Sequence, residues 1–224
     1  MKQYGSFDDA TRSFVITDPL TPGPWINYLG NRRLQAFISQ QAGGLCWYQE
    51  PQTRRLTRYH WLPAPSDRPG FYLYVRDHQT GVVWNPHFAP TCAALERYAC
   101  RHAPGVTSFT GERDGVRITV RYFVPPGHDV LLWDVTAENL TNAERKLTLA
   151  SFTEFGLLDA ARELWWCYLK NQVGFHFDAA ENWIRYDYHV FEAPYTPAIF
   201  MCCTEAVSGF EFSRDAFCGK GGSL

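Results

Sequence analysis

The sequence lacks the long apolar runs and the blocks of like charge that mark membrane proteins and nucleic-acid-binding proteins. No stretch of about 18 consecutive apolar residues occurs, so a membrane-spanning helix is not expected. The 21 basic and 23 acidic residues are interspersed and give a net charge of −2, which leaves no basic stripe for a nucleic acid. The opening residues MKQYGSFDDATRSF carry no apolar core of the kind that a secretory signal peptide needs. We therefore expect a cytoplasmic protein that binds neither nucleic acid nor membranes.

Paired cysteines and the familiar nucleotide and nucleophile motifs are missing as well. The seven cysteines are odd in number and include no C-x-x-C pair, so with no secretion signal they predict reduced thiols rather than a disulfide framework. No zinc-type spacing of cysteines or histidines occurs either. Neither G-x-S-x-G, nor a P-loop, nor G-x-G-x-x-G is present. We expect no metal and no organic cofactor.

Aromatic residues, in contrast, are abundant at 16% of the chain. Such a level is typical of a sheet-rich core or of a surface that stacks on flat ligands such as sugar rings. Residues 106–125 alternate most clearly, because Ile118, Val120 and Tyr122 share one side while polar residues share the other. Asp114-Gly115 supplies turn residues between the two halves, so this segment is predicted to be a β-hairpin.

Further strand signals recur at short intervals along the chain. A second hairpin is predicted over 70–84, with its turn closing at Gly81, and a third over 129–155, with NLTN at its tip. The NLT sequence at Asn139 matches a glycosylation sequon but is interpreted as a turn. Two later strands are predicted within NWIRYDYHVF and AIFMCCTEAV. This spacing predicts an all-β fold, a large antiparallel β-sandwich (super-sandwich) with few short helices.

Helical patterns are weak. A short helical turn is predicted within RRLQAFISQQAGG (32–44). The segment GLLDAARELWWCYLK (156–170) fits either a helix or a long ordered loop, because four of its residues fall on one helical stripe: Leu158, Ala161, Trp165 and Leu169. The final DAFCGKGGSL resembles neither a capping helix nor a closing strand. We therefore expect residues 1–224 to form one sandwich domain that is truncated at its C-terminal edge.

Cys100, Arg101 and His102 adjoin one another and carry the side chains of a reactive site. On a strand, Cys100 and His102 share a face while Arg101 points the other way. A thiolate–imidazole pair is conceivable, but no orienting partner is evident in the sequence. The favoured interpretation is structural, with a buried thiol beside the turn at Pro104-Gly105.

Two further groups of polar residues, an arginine cluster and several carboxylates, also have both a functional and a structural interpretation. Arg54, Arg55 and Arg58 stand among aromatic residues, which indicates a solvated strand face with cation–π packing more than a phosphate or sugar contact. Glycoside chemistry uses pairs of carboxylates. Several are available, and each is expected to be a solvated surface group: Asp8, Asp9, Glu154, Asp159, Glu163 and Asp215.

Eleven segments, taken in order, resemble the N-terminal β-sandwich domain of glycoside hydrolase family 94, the inverting phosphorylases of cellobiose, cellodextrins, chitobiose and related β-linked sugars. Each segment alone is weak, but the ordered set is specific. The segments are GSFDD (5–9), VITDPLTPGPWINYLG (15–30), AGGLCWY (42–48), RRLTRY (54–59), DRPGFYLYVRD (67–77), VVWNP (82–86), YACRHAPGVT (98–107), YFVP (122–125), WDVTAEN (133–139), RKLTLASFTEF (145–155) and RDAFCG (214–219).

The resemblance implies that catalysis is carried by an (α/α)6 barrel that follows the sandwich in the chain. That barrel supplies the general acid Asp and the phosphate pocket, and phosphate attacks the anomeric carbon with inversion. The present 224 residues contain no counterpart of the barrel. The resemblance therefore implies no catalytic residue here, an isolated chain that is inactive, and inorganic phosphate as the co-substrate of the full-length enzyme.

The resemblance also implies that the sandwich supports a homodimer and forms part of the acceptor side of the active site. The segment after SFTEF is the acceptor loop, which carries an Asn and a Gln-Arg pair in cellobiose-type members. Here Asp159 stands near the Asn position, and Tyr168-Leu169-Lys170 stands near Gln-Arg. This departure argues for a longer, charged or otherwise different acceptor. The residues implied to bind the acceptor are Asp159, Trp166, Tyr168 and Lys170.

Two alternatives remain open from the sequence. The high aromatic content and the row Trp165, Trp166 and Tyr168 also fit a stand-alone carbohydrate-binding or interaction module, because these rings cannot all face inward from one element. A thiol or metal enzyme built on Cys100 and His102 ranks last.

Overall fold

The computed structural model describes residues 2–59, 69–161, 173–188 and 198–219. Short strands dominate these ranges, and one short helix lies near their end. The elements are β1 Gly5–Asp8, β2 Ser13–Ile16, β3 Ile26–Gly30, β4 Leu34–Ser39, β5 Gly44–Tyr48, β6 Arg55–Thr57, β7 Tyr72–Asp77, β8 Val83–Trp84, β9 Arg97–Ala103, β10 Val106–Arg113, β11 Val116–Phe123, β12 Leu132–Asn139, β13 Leu147–Phe152, β14 Phe155–Leu158, β15 Val173–Asp178, β16 Trp183–Tyr188, β17 Ala198–Cys202 and helix α1 Arg214–Cys218.

The described strands form four antiparallel sheets. The largest has the order β1-β2-β9-β10-β11-β12, and a five-stranded sheet has the order β14-β6-β5-β4-β3. Two three-stranded sheets have the orders β13-β7-β8 and β15-β16-β17. This architecture confirms the predicted all-β antiparallel fold.

The core lies between the six-stranded sheet and the sheets that contain β4 and β7. Strands β10 and β11 supply its centre, because their inward residues Phe109, Ile118, Val120 and Tyr122 are fully buried. Opposite them, the core receives Leu29, Leu34, Ala36, Ile38, Cys46, Phe71, Leu73 and Val75. A side-chain amide joins the layers at one end, since Asn27 Nδ2 donates to the Ala103 and Val106 carbonyls at 2.8 and 3.1 Å.

Two predicted hairpins are confirmed and the third is wrong. Strands β10 and β11 pair along their full length around Asp114-Gly115, where both residues have positive φ. Strands β7 and β8 pair as predicted over 70–84. Strand β12 pairs with β11, however, whereas β13 pairs with β7 in a different sheet. The segment 129–155 is therefore a crossing between the two layers, and the chain between β12 and β13 is long enough to span them.

The helical predictions also need correction. Residues 34–39 are strand β4, because Leu34, Ala36 and Ile38 alternate with side chains that face away from the core. Strand β14 occupies the start of the 156–170 segment, and residues 162–172 lie outside the described residues. Near the C-terminus a short helix does form, since Ser213 caps α1 by accepting from Ala216 N. Among the described residues, no helix is both long and apolar enough to cross a membrane.

The small sheet of β15, β16 and β17 has one packed face. Tyr186 is buried there and stacks on Phe155 of β14, with ring centroids 5.3 Å apart. Phe175 and Phe177 on the same face stack on Phe212 and Phe210 at 5.3 and 4.3 Å. This run of aromatic rings ties the small sheet to the main sandwich through Phe155.

Candidate functional site

The start of the predicted acceptor loop is held by main-chain hydrogen bonds beside the turn between β5 and β6. Strand β14 pairs with β6 at Phe155–Thr57 and Leu158–Arg55. Just after β14, Ala160 N donates to the Gln52 carbonyl at 2.7 Å. Asp159 is half-buried, and its Oδ1 accepts from Ala161 N at 2.8 Å. Asp159 thus caps the first turn of the chain that leaves the sheet.

The other predicted acceptor residues cannot be placed in the same way. Trp166, Tyr168 and Lys170 lie outside the described residues, as do Glu163 and Trp165. The structure therefore positions the start of the loop through Asp159 and leaves the remaining assignments as predictions.

An ion pair fixes the strand that leads into this loop. Arg58 donates through Nε and Nη2 to the two carboxylate oxygens of Glu154 at 2.9 and 2.6 Å. The side chains of Arg58 and Glu154 are only 8% and 17% exposed. Arg214 of α1 approaches the same carboxylate, with Nε 3.6 Å from Oε1. Both Glu154 oxygens are engaged by cations, so this carboxylate anchors three segments rather than facing solvent as predicted.

The arginine-rich segment 54–58 divides into two environments. Arg54 is half-buried and lies over the Tyr48 ring at 6.0 Å, which agrees with the predicted cation–π packing. The prediction of a solvated face is wrong for Arg55 and Arg58, which are buried. The reason is pairing, because Arg58 meets Glu154 and Arg55 Nη2 donates to the Tyr59 carbonyl.

The neighbourhood of the Glu154 ion pair is apolar and raises the pKa of nearby acids. Phe217 of α1 packs edge-on against Tyr74 at 5.4 Å and lies 4.9 Å from the Phe152 ring. Burial is the main cause that raises the pKa of the Tyr74 hydroxyl well above its usual range. Burial also raises the pKa of the Cys218 thiol, which argues against a reactive thiolate there.

The segment Cys100–His102 is a structural element and not a reactive site. Cys100 is fully buried, and burial raises the pKa of its thiol well above the usual value. The His102 Nε2–H group donates to the Trp25 carbonyl at 3.0 Å. Its Nδ1 accepts from the Thr107 hydroxyl at 2.9 Å, and that hydroxyl accepts from Asn27 at 3.1 Å. Burial lowers the pKa of His102, so the neutral ring completes this network.

Arg101 lies on the opposite face of β9, as the strand alternation predicts. Its Nη1 contacts Asp8 at 2.7 Å and the hydroxyls of Thr11 and Ser13 at 2.8 Å. These contacts tie β9 to the turn between β1 and β2. Within the described residues, no group of three His, Cys, Asp or Glu side chains is placed to hold a metal ion.

The sequence interpretation did not single out an aromatic pair on the solvent side of the small sheet. Trp183 of β16 and Phe200 of β17 have ring centroids 5.2 Å apart and planes inclined by 46°. Alternation contained the signal, because Trp183, Arg185 and Asp187 interleave with the packed residues Ile184 and Tyr186. Composition alone could not separate this exposed pair from the many core aromatics.

Comparison with known proteins identifies a family and several relatives. The family model described as "Glycosyl hydrolase 94, supersandwich domain" matches residues 12–224. The chain is 31% identical to an N,N'-diacetylchitobiose phosphorylase of Vibrio furnissii over 97% of this chain and 27% of that protein. It is 30% identical to a solabiose phosphorylase of Paenibacillus borealis over 99% of this chain and 29% of that protein.

A third relative widens the range of sugars. A 3-O-beta-D-glucopyranosyl-beta-D-glucuronide phosphorylase of Paenibacillus borealis is 35% identical over 69% of this chain and 18% of that protein. The chain spans less than a third of the length of each of these three relatives.

Proposed function

The chain belongs to the glycosyl hydrolase 94 supersandwich domain family, and on that premise we propose that it is the non-catalytic N-terminal domain of an inverting β-glycoside phosphorylase. The full-length enzyme cleaves a β-linked disaccharide or oligosaccharide with inorganic phosphate and releases a sugar 1-phosphate. The observation that carries this proposal is the family match over 12–224 together with three relatives that are named phosphorylases.

The environment of the carboxylates supports a non-catalytic role for this domain. Inverting enzymes need a carboxylic acid placed to protonate the leaving oxygen. Glu154 engages Arg58 through both of its oxygens, and Asp8 is paired with Arg101. We propose that the acid belongs to a C-terminal barrel, that phosphate is the only co-substrate, and that the enzyme is a cytoplasmic homodimer.

We propose further that the loop that begins at Asp159 forms part of the acceptor site. The Arg58–Glu154 pair holds the strand that leads into this loop, so the loop starts from a rigid base. The relatives differ in the sugars of their names, and one of them acts on a glucuronide. A cation at Lys170 would suit such an acidic acceptor, while Trp166 and Tyr168 would stack on the sugar face.

A chimera tests the domain assignment. In it, this chain replaces the matching region of the Vibrio furnissii N,N'-diacetylchitobiose phosphorylase. With inorganic phosphate and either N,N'-diacetylchitobiose or cellobiose, we expect no sugar 1-phosphate from the isolated chain and measurable release from the chimera. Turnover by the isolated chain would contradict the non-catalytic assignment.

Lys170→Ala in the same chimera tests the acceptor loop. Loss of the cation should raise the KM for the acceptor in the synthetic direction and leave the KM for phosphate unchanged in phosphorolysis. Lys146→Ala, an exposed lysine on the chain between β12 and β13, is the matched control and should change neither constant. A rise in the phosphate KM, or unchanged acceptor kinetics, would show that this loop does not contact the acceptor.

A further inference from the structure

The solvent-facing side of the β15–β16–β17 sheet presents a small grid of aromatic and polar side chains. Strand register places His176 opposite Arg185, and Arg185 opposite Phe200. In the next row it places Asp178 opposite Trp183, and Trp183 opposite Cys202. Side chains that are directly opposite on an antiparallel pair have Cβ atoms about 5 Å apart. Trp183 and Phe200 therefore meet diagonally beside Arg185, as their centroid distance of 5.2 Å confirms.

This face is distinct from the face that packs the sheet onto the sandwich. The packing face carries Phe175, Phe177 and the buried Tyr186, which stack on Phe212, Phe210 and Phe155. On the other side, Phe200 is 51% exposed and Trp183 is half-buried, whereas the packing face has Phe175 at 40% and Tyr186 at 2% exposed. An aromatic pair that the fold leaves in contact with water, next to charged groups, is a feature of binding surfaces.

The polar residues beside the rings keep hydrogen-bonding capacity. Arg185 Nε donates to Asp187 Oδ1 at 2.8 Å, and both side chains are substantially exposed, at 48% and 37%. Strand register places Arg185 directly opposite Phe200. Among the described contacts only Nε is used, so the terminal nitrogens of Arg185 can still donate to a ligand. The exposed His176 ring adds a further group beside Arg185.

From this geometry we propose that the Trp183–Phe200 face is a binding surface for a pyranose unit of a β-linked oligosaccharide. The apolar C–H side of the sugar lies on the two rings, and its equatorial hydroxyls reach Arg185, Asp187 and His176. The site lies on strands β15, β16 and β17.

A sugar fits this face better than a protein does. Interface cores between proteins are depleted of acidic residues, whereas Asp187 accepts from Arg185 in this grid and His176 lies opposite Arg185. Burying the charges of Arg185 and Asp187 under an apolar protein surface would be unfavourable. A sugar hydroxyl can satisfy each of them while the sugar ring still covers the aromatic surface. Aromatic stacking with hydrogen bonds around its edge therefore favours a carbohydrate ligand over a second polypeptide.

Cys202 supplies a local reporter for this face because it lies directly opposite Trp183 and is exposed. Cellotetraose and N,N',N'',N'''-tetraacetylchitotetraose are the probes, titrated into the isolated chain by calorimetry. Alkylation of each cysteine by iodoacetamide is then followed by mass spectrometry with and without sugar. We expect saturable binding of at least one probe and slower alkylation of Cys202, while the exposed Cys92 between β8 and β9 reacts at an unchanged rate.

Matched variants decide whether the rings carry the binding. Phe200→Ala and Trp183→Ala should each weaken binding by about tenfold, whereas Trp183→Phe should retain most of it. Tyr28→Ala removes a ring that is 66% exposed on β3 and should have no effect. Thermal unfolding of each variant checks that the fold is intact, and Phe200→Ala is the decisive variant because its ring is the more exposed of the pair.

Three results would overturn the proposal. They are no saturable binding of either probe up to about 10 mM, binding that survives Phe200→Ala, and self-association of the chain that Phe200→Ala abolishes. The test is independent of the phosphorylase proposal, because it measures binding to the isolated chain whereas the chimera measures turnover.

Discussion

At the scale of single residues, burial determines the protonation state of the titratable groups in the core. His87 is fully buried against the rings of Phe109 and Tyr122. Its Nε2–H donates to the Tyr122 hydroxyl at 2.8 Å, and that hydroxyl donates to the Phe71 carbonyl at 2.8 Å. Burial lowers the pKa of His87, so its ring is neutral. Cys100 follows the same logic, since burial keeps its thiol protonated and removes it from the set of reactive groups.

His87 should make the stability of the protein depend on acid. Burial lowers the pKa of His87 from 6.5 to about 3, so below pH 6.5 the unfolded chain takes up a proton that the folded chain does not. The free energy of unfolding should therefore fall as pH decreases from 6.5 towards 3, by about 2–3 kcal/mol at pH 4.5 from this group alone. His87→Gln retains a donor to Tyr122 and removes the titration.

Urea denaturation of both proteins at pH 7.5 and pH 4.5 measures this difference. The loss of stability between the two pH values should be smaller in His87→Gln than in the parent chain by about 2–3 kcal/mol. Equal losses in the two proteins would mean that His87 is not the group that titrates.

At the scale of elements, alternation and turn residues predicted the strands that lie next to each other in the chain. The Asp114-Gly115 hairpin and the two faces of β9 follow from local sequence. Local sequence did not reveal which strands pair with each other, because the sequence of β12 and β13 resembles a hairpin although the two strands enter different sheets. Asn139 does form the predicted turn, since its Oδ1 accepts from Thr141 N and Oγ1. A local turn signal cannot state whether the chain returns beside its neighbour or crosses to the facing layer.

Gly115 is the residue that most tightly restricts the β10–β11 hairpin. It has φ of +75°, and a Cβ there would lie 2.3 Å from Thr141 Cγ2, whereas Gly105 with φ of +73° has open space. Gly105→Ala should cost about 1 kcal/mol from backbone strain. Gly115→Ala should cost about 1–3 kcal/mol more because it adds a steric clash. Chemical denaturation of both variants measures the difference.

Thr141→Ser provides the control, because it removes the clashing methyl group and retains the hydroxyl that bonds Asn139. Combined with Gly115→Ala, it should restore most of the extra loss. Equal destabilisation by Gly105→Ala and Gly115→Ala would show that contact with Thr141 does not limit this turn.

The Arg58–Glu154 ion pair, next to β6 and β14, should contribute far more to the free energy of unfolding than a surface ion pair does. Glu154→Gln removes the negative charge that accepts from two nitrogens of Arg58, whose side chain is only 8% exposed. The expected loss is about 2–4 kcal/mol in the free energy of unfolding. Asp134→Asn breaks the Arg121–Asp134 pair, whose side chains are 55% and 50% exposed, and should cost less than about 1 kcal/mol. Denaturation of the two variants side by side would reject the anchoring role if their losses were similar.

At the scale of the whole molecule, the resemblance predicted the sandwich, but the arrangement of its parts depends on contacts between distant segments. Arg58 pairs with Glu154 across 96 positions of sequence, which no local pattern reveals. The position of helix α1 also depends on distant contacts, because Phe217 of this five-residue helix packs against Tyr74 and Phe152. The acceptor loop is known from the resemblance through its position after SFTEF, and its geometry beyond Ala161 does not follow from residue spacing.

The small sheet should behave as a separately stabilised unit that depends on Phe155. That ring stacks on Tyr186 at 5.3 Å and is the aromatic bridge from β14 to β16. Phe155→Ala removes the stacking and part of the burial of Tyr186, a local loss of about 1–2 kcal/mol. Because proteins open in cooperative units, this loss should appear first in the unit that the ring supports.

Native-state hydrogen exchange measures where the loss falls. In Phe155→Ala the amides of β15 and β16 should exchange about tenfold faster, while those of β10 and β11 change little. Phe7→Ala, which truncates a ring that is 80% exposed on the edge strand β1, should leave β15 and β16 unchanged. Faster exchange spread equally over β10, β11, β15 and β16 would mean that the sandwich and the small sheet unfold as one unit. A selective change would instead show that the sheet with the Trp183–Phe200 face can loosen while β10 and β11 in the core stay closed.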